Sequence, residues 1–408
     1  MTSISVLMNA VELEMLAKEV VFTATTAGDI NLKKPLVDIC RPNVQHNINF
    51  AELCLKLPKL KRCLITSTAY VNAYLPEGAM PEDIIFDEAY QMHDPEAEYA
   101  SILEGDVPPA AVINSFPWDY SYSKNLSERI LQVRYGTGIN KDQKPKLPII
   151  FLRPSNVGPA MYEPHAGFSS IEATPITSCT MKIQATSTME YRKAMADYRA
   201  LQKVVSDGKL HAPEPKNYRV QLWPESTLRP KGGNDINEVP VDLFINACLV
   251  HAVKSDVTVF NGTSLHKQPA TLRALLNAAG ERYRANILPV PMPDFVVTQI
   301  EKKKGLSFPE FTYMKTPDAF KDERLCKTAQ LMKVGGMQFD FDISKTLAVR
   351  DTLSGADAQL FSLQHDYDVK KYLSDRGDMA FVKLLEHMEE RKAKQKVEQL
   401  KVEIANMS

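Results

Sequence analysis

The feature that most constrains the fold is an alternation of short apolar segments with helix-like segments. The apolar segments predict buried strands and cover residues 19–25, 61–71 and 146–158. Segments with apolar residues at helical spacing lie between and before them, at 8–18, at 43–60 and from residue 119 onward. Strands separated by helices at this spacing predict a parallel sheet, so we expect an α/β fold.

Composition narrows the class of protein further. The 408 residues are 44% hydrophobic and 24% charged with a formal net charge of −1, as in an ordinary globular protein. A near-neutral charge gives no reason to expect nucleic acid as a partner. No apolar run is long enough for a transmembrane span, and the N-terminus shows no targeting segment.

The six cysteines contain no Cys-x-x-Cys pair, which argues against a metal site. Several lie in apolar runs, so we expect buried free thiols in a reducing intracellular compartment. They are Cys40, Cys54, Cys63, Cys179, Cys248 and Cys326.

The stretch "SFPWDYSYSKNLSERI" (115–130) holds Tyr120 and Lys124 at a spacing that places both on one helix face. Many reductases polarise a carbonyl with a tyrosine and a lysine so spaced. The motif alone is weak, because Tyr367 and Lys371 repeat it where no catalytic context surrounds them.

Several long motifs occur in an order that resembles the fatty acyl-CoA reductase family, which are extended short-chain dehydrogenases/reductases. They are "LITSTAYVN" (64–72), "DYSYSKNLSE" (119–128), "FLRPSNVGPAMYEPHAGF" (151–168), "EVPVDLFINA" (238–247), "VTVFNGTSLHKQPATL" (257–272) and "FDFDISKTLAVRDTLSGADAQLF" (339–361). The likeness runs from about residue 10 to about residue 377. It implies an incomplete Rossmann-like sheet, a small mainly helical C-terminal module and a C-terminal helix.

The resemblance also implies roles for particular residues. Tyr120 would donate a proton to a thioester or aldehyde carbonyl as hydride arrives, and Lys124 would lower the tyrosine pKa and touch the nicotinamide ribose. Ser67 or Thr68, at a strand end, would hold the same carbonyl. The nicotinamide end of an NADPH cofactor would be lined by Arg153, Pro154 and Ser155.

A glycine-rich phosphate-binding turn is missing from this sequence. Its 17 glycines form no GxGxxG or GxxGxxG pattern, and Gly28, the first, follows the strand that resembles the family's fourth. His46 also replaces a glycine of the family pattern. Compared with the family, the first three strands are absent, so we expect no cofactor, or NADPH if the protein is active. The strand at 19–25 would then be an apolar edge that needs a cover.

The domain organisation predicted from these segments has three parts. Residues 1–290 form a truncated α/β domain with an insertion at 170–237, in which a helix is predicted at 187–208 by its capping box. Residues 291–377 form the C-terminal module. The tail at 378–408 is predicted to be helical with an apolar stripe, and it and the strand at 19–25 are expected to contact other protein subunits.

Three functions are compatible with these patterns. The first is a non-catalytic accessory subunit of a larger assembly, placed by analogy in a mitochondrial inner-membrane respiratory complex or ATP synthase. The second is an NADPH-dependent acyl-CoA reductase whose cofactor half comes from another chain. The third is a binder of lipids or acyl chains that kept the substrate side of the site.

Ordinary structural roles are the alternative for each candidate residue. Tyr120 and Lys124 would be a relic held by packing, and Ser67 and Thr68 would cap the turn after their strand. The two histidines, His46 and His251, would be structural. The acidic stretch at 82–106 is predicted to be a solvated loop.

Overall fold

The computed structural model describes residues 10–26, 28–30, 34–84, 86, 94–106, 116, 118–169, 237–263, 339–361 and 368–376. It also gives the backbone of 221–224 and 312–314, and helical positions 379, 382, 386, 389 and 393. The helix predicted at 187–208, most of the 170–237 insertion, residues 291–311 and 315–338, and the tail beyond 393 lie outside the described residues.

The helices and strands, in chain order, have the following bounds. They are α1 (Ala10–Glu19), β1 (Phe22–Thr25), α2 (Leu36–Cys40), α3 (His46–Cys54), β2 (Arg62–Thr66), β3 (Gly78–Met80), α4 (Pro95–Glu104), α5 (Asp119–Arg134), β4 (Ile149–Pro154), β5 (Asn156–Gly158), β6 (Gln221–Pro224), β7 (Glu238–Pro240), α6 (Val241–Lys254), β8 (Val259–Gly262), β9 (Thr312–Met314), β10 (Phe339–Phe341), α7 (Ser344–Arg350), α8 (Gly355–Leu360) and a helix α9 over 369–376.

The chain forms two compact units. The first comprises Met1–Val157, Asn237–Lys267 and Phe320–Asp366, and the second comprises Gly158–Ile236, Gln268–Ala319 and Tyr367–Ser408. In the second unit, β6 pairs with β9 in parallel, and the Tyr372 hydroxyl of α9 donates to the Pro159 carbonyl at 3.1 Å.

A four-stranded sheet forms the centre of the first unit. Its strand order is β1-β2-β4-β8, and every neighbouring pair is parallel. The predicted α/β class with a parallel sheet is therefore confirmed. The strands predicted at 19–25 and 61–71 are real but shorter, since residues 69–72 turn into a short 3₁₀ helix.

Helices cover both faces of this sheet, which gives the three layers of a Rossmann-like fold. Alternate residues of β2 point to opposite faces. Cys63 and Ile65 pack into a core with α2, α3 and α5. Leu64 packs instead with residues of α6 and with Val349 of α7. The helix predicted at 43–60 begins earlier, because α2 continues through a π-helical turn at Arg41–Gln45 into α3.

The prediction of a solvated loop at 82–106 is wrong for the part that forms α4. Asp94 caps this helix by accepting from the Glu96 and Ala97 amides at 3.1 and 3.0 Å, and Gly105 ends it at φ 100°. Two residues of its inner face are fully buried, Tyr99 and Ile102. The acidic composition is explained by partners, since Glu98 binds the buried Arg129 guanidinium through two bonds of 2.8 and 2.7 Å.

A late segment of the chain, residues 339–361, belongs to the first unit. Strand β10 pairs with β3 in parallel, and Phe339 of β10 lies against Tyr70 with ring centroids 6.1 Å apart. Glu82 contacts the same region. Its carboxylate accepts from the backbone amide of Asn261 at 2.8 Å and from the backbone amide of Lys345 at 3.3 Å. Residues 339–361, assigned by sequence to the C-terminal module, thus help to enclose the sheet.

Strand β1 lies at one end of the sheet. Among the described residues it has a strand neighbour on one side only, which is β2. Phe22 is 45% exposed there, while Thr25 at the other end of the strand is buried.

Candidate functional site

The predicted strand-end residues meet at the carboxyl edge of β2 and β4, which are neighbours in the sheet. Thr66 of β2 is in register with Leu152 of β4, and the amide of Ser67 donates to the Leu152 carbonyl at 2.7 Å. Ligands of parallel sheets bind at this edge, so Ser67 and Thr68 lie where a substrate-binding group would be expected.

Helix α5 brings Lys124 to the same edge. The Lys124 ammonium donates to the Thr66 carbonyl at 3.0 Å, and it lies 6.0 Å from the centre of the Tyr120 ring. The structure therefore assembles Tyr120, Lys124 and Ser67 around one strand end.

The surroundings of the lysine are closed. Its side chain is 3% exposed. A Cβ added to Gly28 would lie 2.9 Å from Lys124 Nζ and 3.0 Å from Asn43 Oδ1, so a larger residue at this position would have to displace the end of the lysine side chain. The segment that follows β1 therefore packs directly on the ammonium.

Asn43 holds that segment in place. Its Oδ1 accepts from the Asp29 amide at 2.7 Å, and its Nδ2 donates to the Asp29 carbonyl at 3.0 Å and to Ser123 Oγ at 2.9 Å. Asn43 was not singled out from the sequence. The one available signal was an asparagine on a predicted helix, where a buried amide needs partners.

Burial dominates the titration of both groups. It lowers the pKa of Lys124 to about 8, against a smaller opposing effect of Glu128. Burial also raises the pKa of the Tyr120 phenol. The resemblance implies the opposite direction for the tyrosine, because the lysine would lower its pKa, whereas here the burial of the tyrosine dominates.

Three buried hydroxyls at this edge have no hydrogen-bond partner among the described residues, namely those of Thr66, Ser67 and Ser155. Ser67 is 4% exposed and Ser155 is 8% exposed. Buried hydroxyls without partners are uncommon in native proteins, so these oxygens are available to a polar ligand.

Thr68 has the capping role expected of a strand-end hydroxyl. Its Oγ1 accepts from the Tyr70 amide at 3.3 Å and donates to the Pro154 carbonyl at 3.5 Å. The structure thus shows the predicted capping contact for Thr68, while the hydroxyl of Ser67 caps nothing in the described part of the chain.

Arg153 has a structural environment. Its guanidinium is buried and pairs with Glu128, with Nε 2.9 Å from Oε1, and its Nη1 donates to the Glu82 carbonyl at 3.0 Å. The guanidinium is therefore held by Glu128 of α5 and by the backbone of Glu82 after β3. A cofactor-binding role for Arg153, Pro154 and Ser155 stays a prediction, and of the three only Ser155 has a side chain with unused hydrogen-bonding capacity.

His46 and His251, the two histidines considered from the sequence, both contact neighbouring polar side chains. His251 is buried, its Nδ1 lies 2.9 Å from Ser255 Oγ, and its Nε2 lies 3.1 Å from Thr346 Oγ1. Its structural interpretation is confirmed. His46 Nε2 lies 3.3 Å from Thr25 Oγ1, and burial, together with Lys124, lowers its pKa.

The described residues contain no group of three or more histidine, cysteine, aspartate or glutamate side chains able to hold a metal ion. In the same part of the chain no helix is both long and apolar enough to span a membrane.

Comparison with protein families gives one match. Residues 6–206, just under half of the chain, match the model of an NAD-binding family described as male sterility protein. A comparison with curated proteins finds no matching sequence. The matched region includes the sheet edge with Ser67, Tyr120, Lys124 and Ser155, so the chain is similar to this family where the candidate site lies.

The solved structures that are similar to this chain include an epimerase and a domain from a biosynthetic pathway. UDP-glucuronic acid 4-epimerase from Bacillus cereus in complex with NAD matches at 14% identity and TM-score 0.44, over 91% of this chain and 77% of the other. The terminal R domain of the myxalamid PKS-NRPS pathway matches at 14% and 0.47, over 91% and 71%. The Bordetella bronchiseptica enzyme WbmF in complex with NAD+ and UDP matches at 12% and 0.45, over 96% and 81%.

Proposed function

We propose that this chain is a non-catalytic subunit of a larger protein assembly, with a reductase-like fold whose tyrosine–lysine pair no longer serves hydride transfer. The observation that supports this most is the enclosure of Lys124. Its ammonium is bound to the Thr66 carbonyl, the residue is 3% exposed, and Gly28 lies against the ammonium.

The chemistry of a reductase asks more of these two residues. By resemblance, the lysine would have to reach a cofactor ribose and favour ionisation of the tyrosine. Lys124 is 3% exposed, so a ribose hydroxyl would have to displace the segment at Gly28 to touch it. Tyr120 retains its proton more strongly than a free phenol, because burial raises its pKa.

The edge strand supports an assembly role. Among the described residues, strand β1 pairs with another strand on one side only and Phe22 is 45% exposed there, and another chain could pair with the other side. As the assembly we propose a mitochondrial inner-membrane respiratory complex or ATP synthase. That choice rests on analogy with other reductase-fold subunits.

An NADPH titration of the full chain, isolated with its natural partners and followed by fluorescence, tests the proposal. We expect the chain to be recovered bound to partner subunits, with no saturable NADPH binding up to millimolar cofactor. Lys371→Ala, in the second Tyr-x-x-x-Lys of the sequence, is the matched control and should change nothing.

Micromolar NADPH binding that is lost in Lys124→Met and kept in Lys371→Ala would overturn the proposal. If Lys124→Met does not fold, saturable binding to the unsubstituted chain is sufficient to overturn it. Recovery of the chain as a free monomer would contradict the assembly role.

The second candidate function is an NADPH-dependent acyl-CoA reductase, and one observation favours it. The buried hydroxyls of Ser67 and Ser155 have no hydrogen-bond partner in the part of the chain that the structure describes, at the edge where Tyr120 and Lys124 lie. An acyl carbonyl could accept from Ser67, and the cofactor half would come from another chain. A lipid or acyl binder would use the same oxygens without a cofactor, and a long-chain acyl group extracted with the protein would identify it.

A further inference from the structure

Two cysteines distant from the candidate site lie in contact. Cys54 is the last residue of α3 and Cys63 is the second residue of β2, and their sulfur atoms are 3.6 Å apart. Thr23 of β1 is in register with Cys63, and its Oγ1 lies 3.3 Å from Cys54 Sγ. The side chains of Cys54, Cys63 and Thr23 therefore lie together where α3 ends beside β1 and β2.

The pair differs from the other described thiols. Cys40 and Cys248 are buried cysteines of the same fold with no sulfur contact given by the structure, and burial raises the pKa of both thiols, that of Cys40 to about 12. Cys54 behaves differently, because the hydrogen bond from Cys63, and then that from Thr23, lower its pKa despite burial. Cys54 is therefore the thiol best prepared to react as a thiolate.

We propose that Cys54 and Cys63 are an oxidation site, at which a peroxide converts the two thiols into a reversible intramolecular disulfide. The sulfur atoms are 3.6 Å apart. A disulfide needs them about 2 Å apart, so a gap of about 1.5 Å has to close when the bond forms.

The reaction balances with hydrogen peroxide as the oxidant. The Cys54 thiolate attacks one peroxide oxygen, the oxygen–oxygen bond breaks, and a sulfenic acid and hydroxide are formed. The sulfur of Cys63 then attacks the Cys54 sulfur, the sulfur–sulfur bond forms, and the hydroxyl leaves as water with the proton of Cys63. Two thiols are oxidised overall and one peroxide is reduced to two waters. A dithiol reverses the change by exchange.

Peroxide reaches the pair through the end of α3. Both sulfur-bearing residues are buried, but Leu55, which follows Cys54, is 48% exposed. The turns at 55–61 then connect the helix to β2. Opening of a terminal helical turn is a low-energy local event that leaves the sheet intact.

Peptide mapping of the folded, full-length protein tests the proposal. The protein is treated with hydrogen peroxide, blocked with an alkylating reagent and digested with trypsin, which can cut at Lys56, Lys59, Lys61 and Arg62 between the two cysteines. We expect one cross-linked pair of peptides, joined through Cys54 and Cys63 and separated by dithiothreitol.

Matched variants identify the order of events. Cys63→Ser should lose the cross-link and leave a sulfenic acid on Cys54 that a dimedone probe labels. Cys54→Ser should lose both signals, and Cys40→Ser and Cys248→Ser should keep the cross-link.

Two results would overturn the proposal. One is the absence of a Cys54–Cys63 cross-link in unsubstituted protein whose circular dichroism shows that it stays folded in peroxide. The other is cross-linking of Cys54 or Cys63 to other cysteines to the same extent, which would mean that only unfolded chains are oxidised. Neither depends on the folding of a variant.

Discussion

At the scale of single residues, the buried ion pair of Arg153 and Glu128 shows how the site is supported. The two side chains are 1% and 3% exposed, and the pair links the end of β4 to α5 one turn after Lys124. Removing one charge from such a pair leaves the other buried without compensation. The residue that the family resemblance assigns to a cofactor is therefore part of the protein's own frame.

We expect Arg153→Met or Glu128→Met to lower the free energy of unfolding by about 3–5 kcal/mol, because each leaves a buried charge or its carbonyl partners unpaired. The double variant Arg153→Met/Glu128→Met should recover most of this loss. Urea unfolding measures both, and Lys18→Gln, which breaks an exposed pair with Glu14, is the control with little effect.

Losses that simply add in the double variant would contradict this prediction. They would show that the two side chains contribute independently, and that the pairing seen between them carries no coupling energy.

At the scale of elements, His251 joins α6 to α7. Its ring nitrogens lie within hydrogen-bond distance of Ser255 and Thr346, and the ring stacks on Phe260 at 3.9 Å between centroids. Burial, and secondarily Lys345, lowers the pKa of His251 from 6.5 to about 4. The folded protein thus holds this imidazole neutral at pH values where the unfolded chain protonates it.

Stability should therefore fall on acidification. Between pH 6.5 and about 4 the unfolded state binds more protons at this position, so the contribution of neutral His251 is complete above 6.5 and is lost as pH falls through this window. We expect the loss to reach about 3 kcal/mol. Unfolding free energies measured across the window should flatten in His251→Leu and keep their slope in His165→Gln, a change at an exposed histidine.

An identical slope in His251→Leu and the unsubstituted protein would contradict this interpretation. It would assign the acid sensitivity to other groups, such as His46, whose pKa is also lowered.

At the scale of the whole molecule, the first unit is built from three separated stretches of chain. Strand β10 completes it, because Phe339 is 1% exposed and packs with Tyr70, Ala73 and Met80 from the other end of the sequence. Closing a contact between residues so far apart in the sequence costs chain entropy, which the burial of Phe339 has to offset. The stability of the unit therefore depends on its late segment.

We expect Phe339→Ala to lower the free energy of unfolding by about 3–5 kcal/mol, because it leaves a cavity beneath the 3₁₀ turn that follows Ser67 and Thr68. Hydrogen exchange should report the loss at residues 69–80, far from the substitution in sequence. Leu360→Ala, at a 71% exposed position, is the control.

Unchanged hydrogen-exchange rates at residues 69–80 in Phe339→Ala would contradict this prediction. It would mean that β10 rests on the sheet without stabilising the edge that carries the candidate site.

The sequence by itself determined the class of fold and the members of the site. Apolar segments and helical spacing depend on local geometry, so β1, β2, β4, α1, α5 and the position of Tyr120 and Lys124 on one helix face could be predicted. The place of Ser67 beside them was implied by the family resemblance. Helix α4 was missed although Asp94, Pro95 and Gly105 mark its ends, since the acidic composition outweighed these caps in the interpretation.

Only the tertiary structure decided what surrounds those residues. The approach of Gly28 to Lys124, the pairing of Arg153 with Glu128, and the contact of Cys54 with Cys63 all join residues from different elements. No local pattern reports them, because desolvation and hydrogen bonding depend on which elements pack together. Burial by this packing also shifts the pKa values of Tyr120 and Lys124.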